Sequence, residues 1–182
     1  DFIVIHGESE LPSNASELAV ALCDRFFGIG ADGLVYILPS EKADFLMRIM
    51  NSDGTEAEQC GNAIRCVAKY VYDHQLIHDT NISIETIGAG AQSLNLYIKD
   101  NLVDRVKVDM GEPIFASANV PSLIDEEQVI DYPIEVDGQT FRLTAISMGN
   151  PHGVINVDNA EDFEVSVWGP KLEKHPLFPN KL

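Results

Sequence analysis

The sequence has 182 residues, enough for one domain with a hydrophobic core or for two small domains. Its content of 45 % hydrophobic and 23 % charged residues is that of an ordinary globular protein. The formal net charge of −17 argues against a nucleic acid or an anionic membrane as partner, because either would require a basic face. No stretch is long and apolar enough to span a bilayer.

The first half of the chain is predicted to alternate strands with helices. Apolar runs predict strands at residues 1–5, 34–39 and 43–51. Helical spacing of apolar residues predicts helices at 12–27 and 62–73. The second of these helices follows the turn "NSDG" and a short acidic loop.

The second half is predicted to be richer in strands. A further helix is expected over residues 162–176, ended by Pro176, and "MGEP" at 110–113 is interpreted as a domain boundary. Asp137-Gly138 is a hairpin signal. The predicted strand segments are 81–90, 91–101, 102–111, 131–149 and 153–158. The pattern as a whole predicts a mixed α+β fold rich in antiparallel strands.

Two patterns suggest a cofactor or a metal but fit neither well. "GIGADG" matches the glycine spacing of a dinucleotide fingerprint, but a helix precedes it and a strand follows it, which is the reverse of the required order. Tight-turn glycines are the better interpretation. The cysteines and histidines at 60, 66, 74 and 78 lack the usual spacing of zinc ligands, which favours a core thiol at Cys66 and solvated histidines.

The position of Cys60 is unusual for a packing cysteine. It lies between an acidic loop and Gly61-Asn62, where a helix is predicted to begin. Free N–H groups and the positive end of the helix dipole would both favour a thiolate there, and the same N–H groups could hold a carboxylate. A buried cysteine beside an N-cap Asn remains the alternative interpretation.

The cysteines also bear on the cellular compartment. There are three of them, Cys23 being the third, and an odd set without a visible signal peptide favours free thiols in a reducing cytoplasm. The sequence also lacks an initiator Met, so we expect residues to precede Asp1.

A second polar cluster is "SMGNPHG" at residues 147–153. Asn150-Pro151 favours a turn between strand-like runs, which would put His152 at a strand end where side chains can converge on a cleft. A turn-capping Asn and a surface His are the alternative.

Several blocks of the chain together resemble the diaminopimelate epimerase family. "NSDGTEAEQCGNAIRC" resembles its Asn-x-Asp-Gly…Gln-Cys-Gly-Asn motif, and "GIGADG", "MGEP", "SMGNPHG" and "KLEKHPLFPN" resemble other blocks in the same order. The resemblance implies an α+β fold of two similar domains, each a mostly antiparallel sheet wrapped around a helix. It implies epimerisation of LL- to meso-2,6-diaminopimelate for lysine and peptidoglycan, without pyridoxal phosphate or a metal, by a cytoplasmic homodimer.

The resemblance also assigns candidate site residues. Cys60 resembles the acid/base cysteine of the first domain, which faces one side of the substrate α-carbon while a second cysteine faces the other. His152 resembles the supporting histidine of the catalytic site. The positions that resemble substrate-holding residues are Asn51, Gly61, Asn62 and Asn150. We therefore expect these residues to line one cleft.

The chain also departs from the family pattern. The family's opening block ends in Gly-Asn before "DF", whereas this chain begins at Asp1, and Gly33 replaces a substrate-contacting Gln of some members. The family's later half, with the second catalytic cysteine in a Gly-rich loop, has no counterpart before Leu182. We interpret the chain as a fragment, with a first domain over 1–111 and part of a second over 112–182, and expect the fragment alone to be inactive.

Two other functions fit the residues. A Cys-His acyl-transfer enzyme would use Cys60 as nucleophile and His152 as base, and would be acylated by activated esters. A non-catalytic amino-acid-binding relative would have an unreactive Cys60.

Overall fold

The computed structural model describes residues 1–120 and 122–179 and divides the chain into two units, 1–110 and 111–182. Residue 121 and the end of the "KLEKHPLFPN" block lie outside the described residues. The sequence-based boundary, after residue 111, is one residue away from this division.

Unit 1, all of whose residues are described, combines a curved sheet with two helices. The strands are β1 (Phe2–His6), β2 (Gly33–Leu38), β3 (Phe45–Asn51), β4 (Glu56–Ala57), β5 (Asn81–Thr86), β6 (Gly90–Lys99) and β7 (Leu102–Val108), and the helices are α1 (Ala15–Cys23) and α2 (Gly61–Asp73). The strand order is β1-β2-β3-β5-β6-β7, with β4 added to β3. The β1–β2 and β3–β5 pairings are parallel, and the other pairings of this sheet are antiparallel.

Helix α2 packs against the inner face of this sheet. Its apolar residues recur at helical spacing and form one fully buried stripe, which comprises Ala63, Ile64, Val67, Ala68 and Val71. They share a core with buried residues of β2, β3, β5, β6 and β7. The sheet is therefore wrapped around α2, as predicted.

The prediction that Cys66 is a core thiol is wrong. Cys66 is exposed, because successive residues of an α-helix turn by about 100° and position 66 points away from the buried stripe of α2. His74 and His78 are exposed, as predicted.

Helix α1 covers the opposite face of β2 and β3. Every residue of β2 is buried, because this strand lies between two layers of side chains. Helix α1 ends at Cys23 and not at residue 27 as predicted, since the Asp24 carboxylate accepts hydrogen bonds from the N–H groups of Phe26 and Phe27, each at 2.7 Å. "GIGADG" is a turn between α1 and β2, with φ of +85° at Gly30, as predicted.

Unit 2 contains an antiparallel sheet and a helix in its described residues. Strands β8 (Tyr132–Val136), β9 (Gln139–Ser147) and β10 (Pro151–Ile155) pair in the order β10-β9-β8, and helix α3 is Val165–Glu173. Its core includes Phe141, Leu143 and Leu172. The predicted hairpin turn is confirmed by positive φ at both Asp137 and Gly138. Helix α3 is shorter than the predicted 162–176 and continues through Pro170.

The chain thus has a mixed α+β fold whose strand pairings are mostly antiparallel. Across the described residues, no helix has the length and the apolar content that crossing a membrane requires.

An ion pair between neighbouring segments predicts how unit 1 responds to acid. The Glu85 carboxylate accepts a hydrogen bond from the Ser40 hydroxyl at 2.6 Å and lies 3.1 Å from the Lys42 ammonium. The Ser40 hydrogen bond, together with Lys42, lowers the pKa of Glu85 below its ordinary value of 4.5. This interaction therefore stabilises the folded state above pH 4.5 and is lost as the pH falls through the lowered pKa.

We expect Glu85→Gln to lower the urea midpoint at pH 7 and to have little effect once Glu85 is protonated in the wild type. Circular dichroism of urea titrations from neutral to acid pH measures this difference. A gap between the two proteins that stays constant across the acid range would contradict the assignment.

Candidate active site

Cys60 is the N-cap residue of α2. Its backbone is extended, with φ of −152° and ψ of 107°, and its Sγ accepts the N–H of Ala63 at 3.4 Å. Its carbonyl oxygen accepts the N–H of Ile64 at 3.0 Å. The predicted position of Cys60 at a helix N-terminus is confirmed, and the half-buried sulfur lies where the helix dipole favours negative charge.

Capping alone does not explain a cysteine at this position. Ser, Thr, Asp and Asn are the preferred N-cap residues because an oxygen accepts the free N–H groups of the first turn better than sulfur does. Asn62, which the alternative interpretation took for the cap, lies inside the first turn of α2. A thiol in place of a better cap indicates that its chemistry matters.

The first turn of α2 presents hydrogen-bond donors beside this thiol. No hydrogen bond from the N–H groups of Gly61 and Asn62 is found within the described residues. A Cβ built on Gly61 would meet only the Met110 side chain, at 3.6 Å, an ordinary contact, so packing within unit 1 does not require a glycine here. These donors and the missing side chain suit a small anion such as a carboxylate.

Asn62 is exposed and is held by a residue that sequence reasoning missed. The Arg65 guanidinium donates to the Asn62 side-chain oxygen, and Arg65 Nε donates to the Gly61 carbonyl at 3.0 Å. The spacing of Arg65 from Asn62 and Gly61 could have predicted these contacts, since residues three and four apart are neighbours on a helix. Arg65 therefore orients the Asn62 side chain and brings positive charge to the first turn.

Asn51 ends β3 opposite Gly33 and begins a tight turn. Its backbone N–H donates to the Thr55 carbonyl at 2.7 Å, and its side-chain amide donates to the Thr55 hydroxyl at 3.0 Å. The turn is anchored to α1, because the Ser16 hydroxyl donates to the Gly54 carbonyl at 2.6 Å. Asn51 is thus a half-buried amide in a fixed turn.

Asn150 and His152 belong to unit 2, where the structure brings them together. Asn150 ends the turn from β9 to β10 and His152 is the second residue of β10, and Asn150 Oδ1 is 3.2 Å from Nε2 of the exposed His152. Gly149 has φ of +98°, and its N–H donates to the Ser147 hydroxyl at 3.3 Å, which shapes the turn. The expected position of His152 at a strand end is confirmed, whereas a common cleft of Asn150 and His152 with Cys60 stays a prediction.

The three thiols lie in different environments. Cys23, the last residue of α1, is buried, and this burial raises the pKa of its thiol, with a further contribution from Asp32. Cys66 is exposed, on the side of α2 away from the core. Of the three, only Cys60 is half-buried at a helix N-terminus. Among the described residues, no group of three or more His, Cys, Asp or Glu side chains could hold a metal ion.

Comparison with known sequences identifies one family. The sequence profile described as diaminopimelate epimerase matches residues 1–116. The diaminopimelate epimerase of Acetivibrio thermocellus is 50 % identical over 182 residues, which are 100 % of this chain and 65 % of that protein. The Agathobacter rectalis enzyme is 47 % identical and the Methanococcus maripaludis enzyme 46 %, and the chain covers 66 % and 65 % of their lengths. The chain thus spans about two thirds of these relatives.

Solved structures support the fold. A "probable proline racemase" from Agrobacterium radiobacter K84 superposes with a TM-score of 0.60 at 19 % identity, covering 95 % of this chain and 51 % of that one. A hydroxyproline epimerase from Agrobacterium vitis gives 0.57 at 20 % identity, covering 81 % and 45 %. A PhzF-family phenazine biosynthesis protein from Bacillus anthracis gives 0.54 at 18 % identity, covering 87 % and 50 %. At these identities the likeness concerns the fold alone.

Proposed function

Because this chain belongs to the diaminopimelate epimerase family, we propose that it is part of an enzyme that interconverts LL- and meso-2,6-diaminopimelate without a cofactor. The observation that carries this proposal is Cys60 at the N-cap of α2, with the donors of Gly61 and Asn62 beside it. The relatives are diaminopimelate epimerases, and they are longer than this chain by about a third of their length.

The chemistry requires removal of a proton from an α-carbon. The Cys60 thiolate takes this proton from one face, while a thiol on the other face delivers a different proton, so that the configuration inverts. The second thiol belongs to residues outside this chain. Negative charge that develops on the α-carboxylate in the transition state is stabilised by the N–H groups at the start of α2.

Other site residues hold the substrate and exclude water. Asn51, Gly61, Asn62 and Asn150 bind its polar groups, and His152 supports the site through its contact with Asn150. Exclusion of water from the site strengthens these electrostatic interactions. The family resemblance further suggests a cytoplasmic homodimer that serves lysine and peptidoglycan synthesis, and light scattering of the full-length enzyme would test the homodimer.

The chain alone should not epimerise diaminopimelate. It supplies one of the two proposed proton-transfer groups, and because inversion in either direction requires both, we expect a loss of at least about a thousandfold relative to the full-length enzyme. The test is a chiral chromatographic assay of the purified chain with LL-diaminopimelate, beside the full-length enzyme as positive control. Turnover that co-purifies with this chain, and that persists in preparations from a host lacking its own epimerase, would overturn the two-cysteine proposal.

Acyl transfer and simple binding predict other outcomes at the same residue. Stable acylation of Cys60 by an activated ester, dependent on His152, would favour a Cys-His transferase. A Cys60 that resists alkylation under conditions in which Cys66 reacts would favour a binding protein.

A further inference from the structure

Two glutamine side chains are buried together in unit 1, directly before the candidate active site. Gln59 is 3 % exposed and Gln92 is 5 % exposed. The Gln59 amide nitrogen donates to the Gln92 side-chain oxygen at 2.6 Å, which joins the loop before α2 to strand β6. Burying amides has a cost in free energy that hydrogen bonds must offset, so such a pair is expected only where it fixes a particular arrangement.

The orientation of both amides follows from one backbone carbonyl. The Gln92 amide nitrogen is 3.3 Å from the carbonyl oxygen of Asp109 and 3.8 Å from the sulfur of Met110. A carbonyl oxygen only accepts hydrogen bonds, so the nitrogen of Gln92 must face Asp109 and its oxygen must face Gln59. The Gln59 oxygen then has no partner among the described residues, although it is buried.

The amide pair is connected to the residues on both sides of Cys60. Gln59 immediately precedes Cys60, so the Gln92 hydrogen bond holds the chain as it enters α2. Gly61 immediately follows Cys60, and Met110, which Gln92 contacts, packs beside the α-carbon of Gly61. The residues on either side of the thiol are therefore both held through Gln92.

We propose that Gln92 is a positioning residue for Cys60. It acts through Gln59 and Met110 to keep the Cys60 sulfur aligned with the Ala63 N–H and the first turn of α2 in place. The importance of this alignment for catalysis rests on the proposed function, but the alignment does not. The alignment itself can be measured in this chain without turnover.

The test is alkylation of the chain by iodoacetamide over a range of pH, read by mass spectrometry. Trypsin cleavage after Arg65 puts Cys60 and Cys66 in separate peptides, so the exposed Cys66 is an internal control. In Gln92→Met we expect the Cys60 profile to change, with a rate at neutral pH at least about threefold lower, because the sulfur loses its alignment with the Ala63 N–H and the first turn of α2. The Cys66 profile should not change.

A double variant separates positioning from stability. Gln92→Met alone leaves the Gln59 amide buried without its partner, whereas Gln59→Met with Gln92→Met removes both amides, and we expect it to recover most of the lost melting temperature. If Gln92 positions Cys60, the Cys60 profile stays shifted in the double variant. A wild-type profile in Gln92→Met, or one restored together with stability in the double variant, would overturn the inference. Neither result bears on the proposed epimerase function, which is tested by turnover of the full-length enzyme.

Discussion

Cys60→Ala in the full-length enzyme is expected to abolish inversion in both directions. Each direction requires one group to take the α-proton and another to deliver a proton, and the substitution removes one of the two. We expect a loss of at least about a thousandfold in kcat, within the range of general acid–base catalysis combined with lost positioning. Chiral chromatography of reactions started from the LL and the meso isomer measures both directions.

The reaction in heavy water reports which group delivers the proton. A thiol exchanges its proton with solvent, so early product should carry deuterium at the inverted α-carbon while the remaining substrate does not. A mass-spectrometric time course of the wild-type enzyme resolves the two pools. Early product that retains the substrate's own α-hydrogen would show that a single base does both transfers, which would contradict the proposed role of Cys60.

Two other variants serve as comparisons for the loss of activity expected in Cys60→Ala. Cys66→Ala removes a thiol from the same helix, but from its exposed side, and should leave the rate within about twofold of the wild type. His152→Ala should slow the reaction without abolishing it, because His152 contacts Asn150 and is assigned no proton transfer to carbon.

Ile64→Ala is expected to destabilise unit 1 by about 3 kcal/mol. Ile64 is fully buried one turn after Cys60, in the core between α2 and the sheet. The substitution removes apolar contacts and leaves a cavity that the surrounding strands can fill only in part. Hydrogen exchange of the α2 amides, measured by mass spectrometry, gives the opening free energy of this unit separately from that of unit 2.

Cys66→Ala again supplies the control, since it changes an exposed position of the same helix and should shift the opening free energy by less than about 0.5 kcal/mol. Ile64→Val should give an intermediate loss of about 1 kcal/mol. Equal protection in Ile64→Ala and Cys66→Ala would contradict the central packing role of α2.

Local patterns in the sequence were sufficient to predict much of the fold and to identify Cys60 as the candidate catalytic thiol. The alternation along β6 and the Asp137-Gly138 turn depend on residues close together in the chain, so both could be predicted. The same holds for Cys60, because a helix start is marked by the polar loop before it and the apolar stripe after it. The family motif added roles for Asn150 and His152 that their turn and strand positions alone left open.

Tertiary structure decided the features that depend on residues far apart. The parallel pairing of β1 with β2 and of β3 with β5 is set by how the layers pack, and no local pattern specifies it. The exposure of Cys66 depended on which side of α2 met the sheet.

The Gln59–Gln92 hydrogen bond is the clearest example of a feature that only the tertiary structure decides. The alternation of β6 puts Gln92 on the same face as the buried Leu94 and Leu96, but Gln59 lies in a polar loop, so the sequence does not indicate that the two amides pair. Their contact exists because Gln92, near the start of β6, lies next to the loop that precedes α2, and hydrogen bonding between buried amides is specified by that geometry and not by residue type.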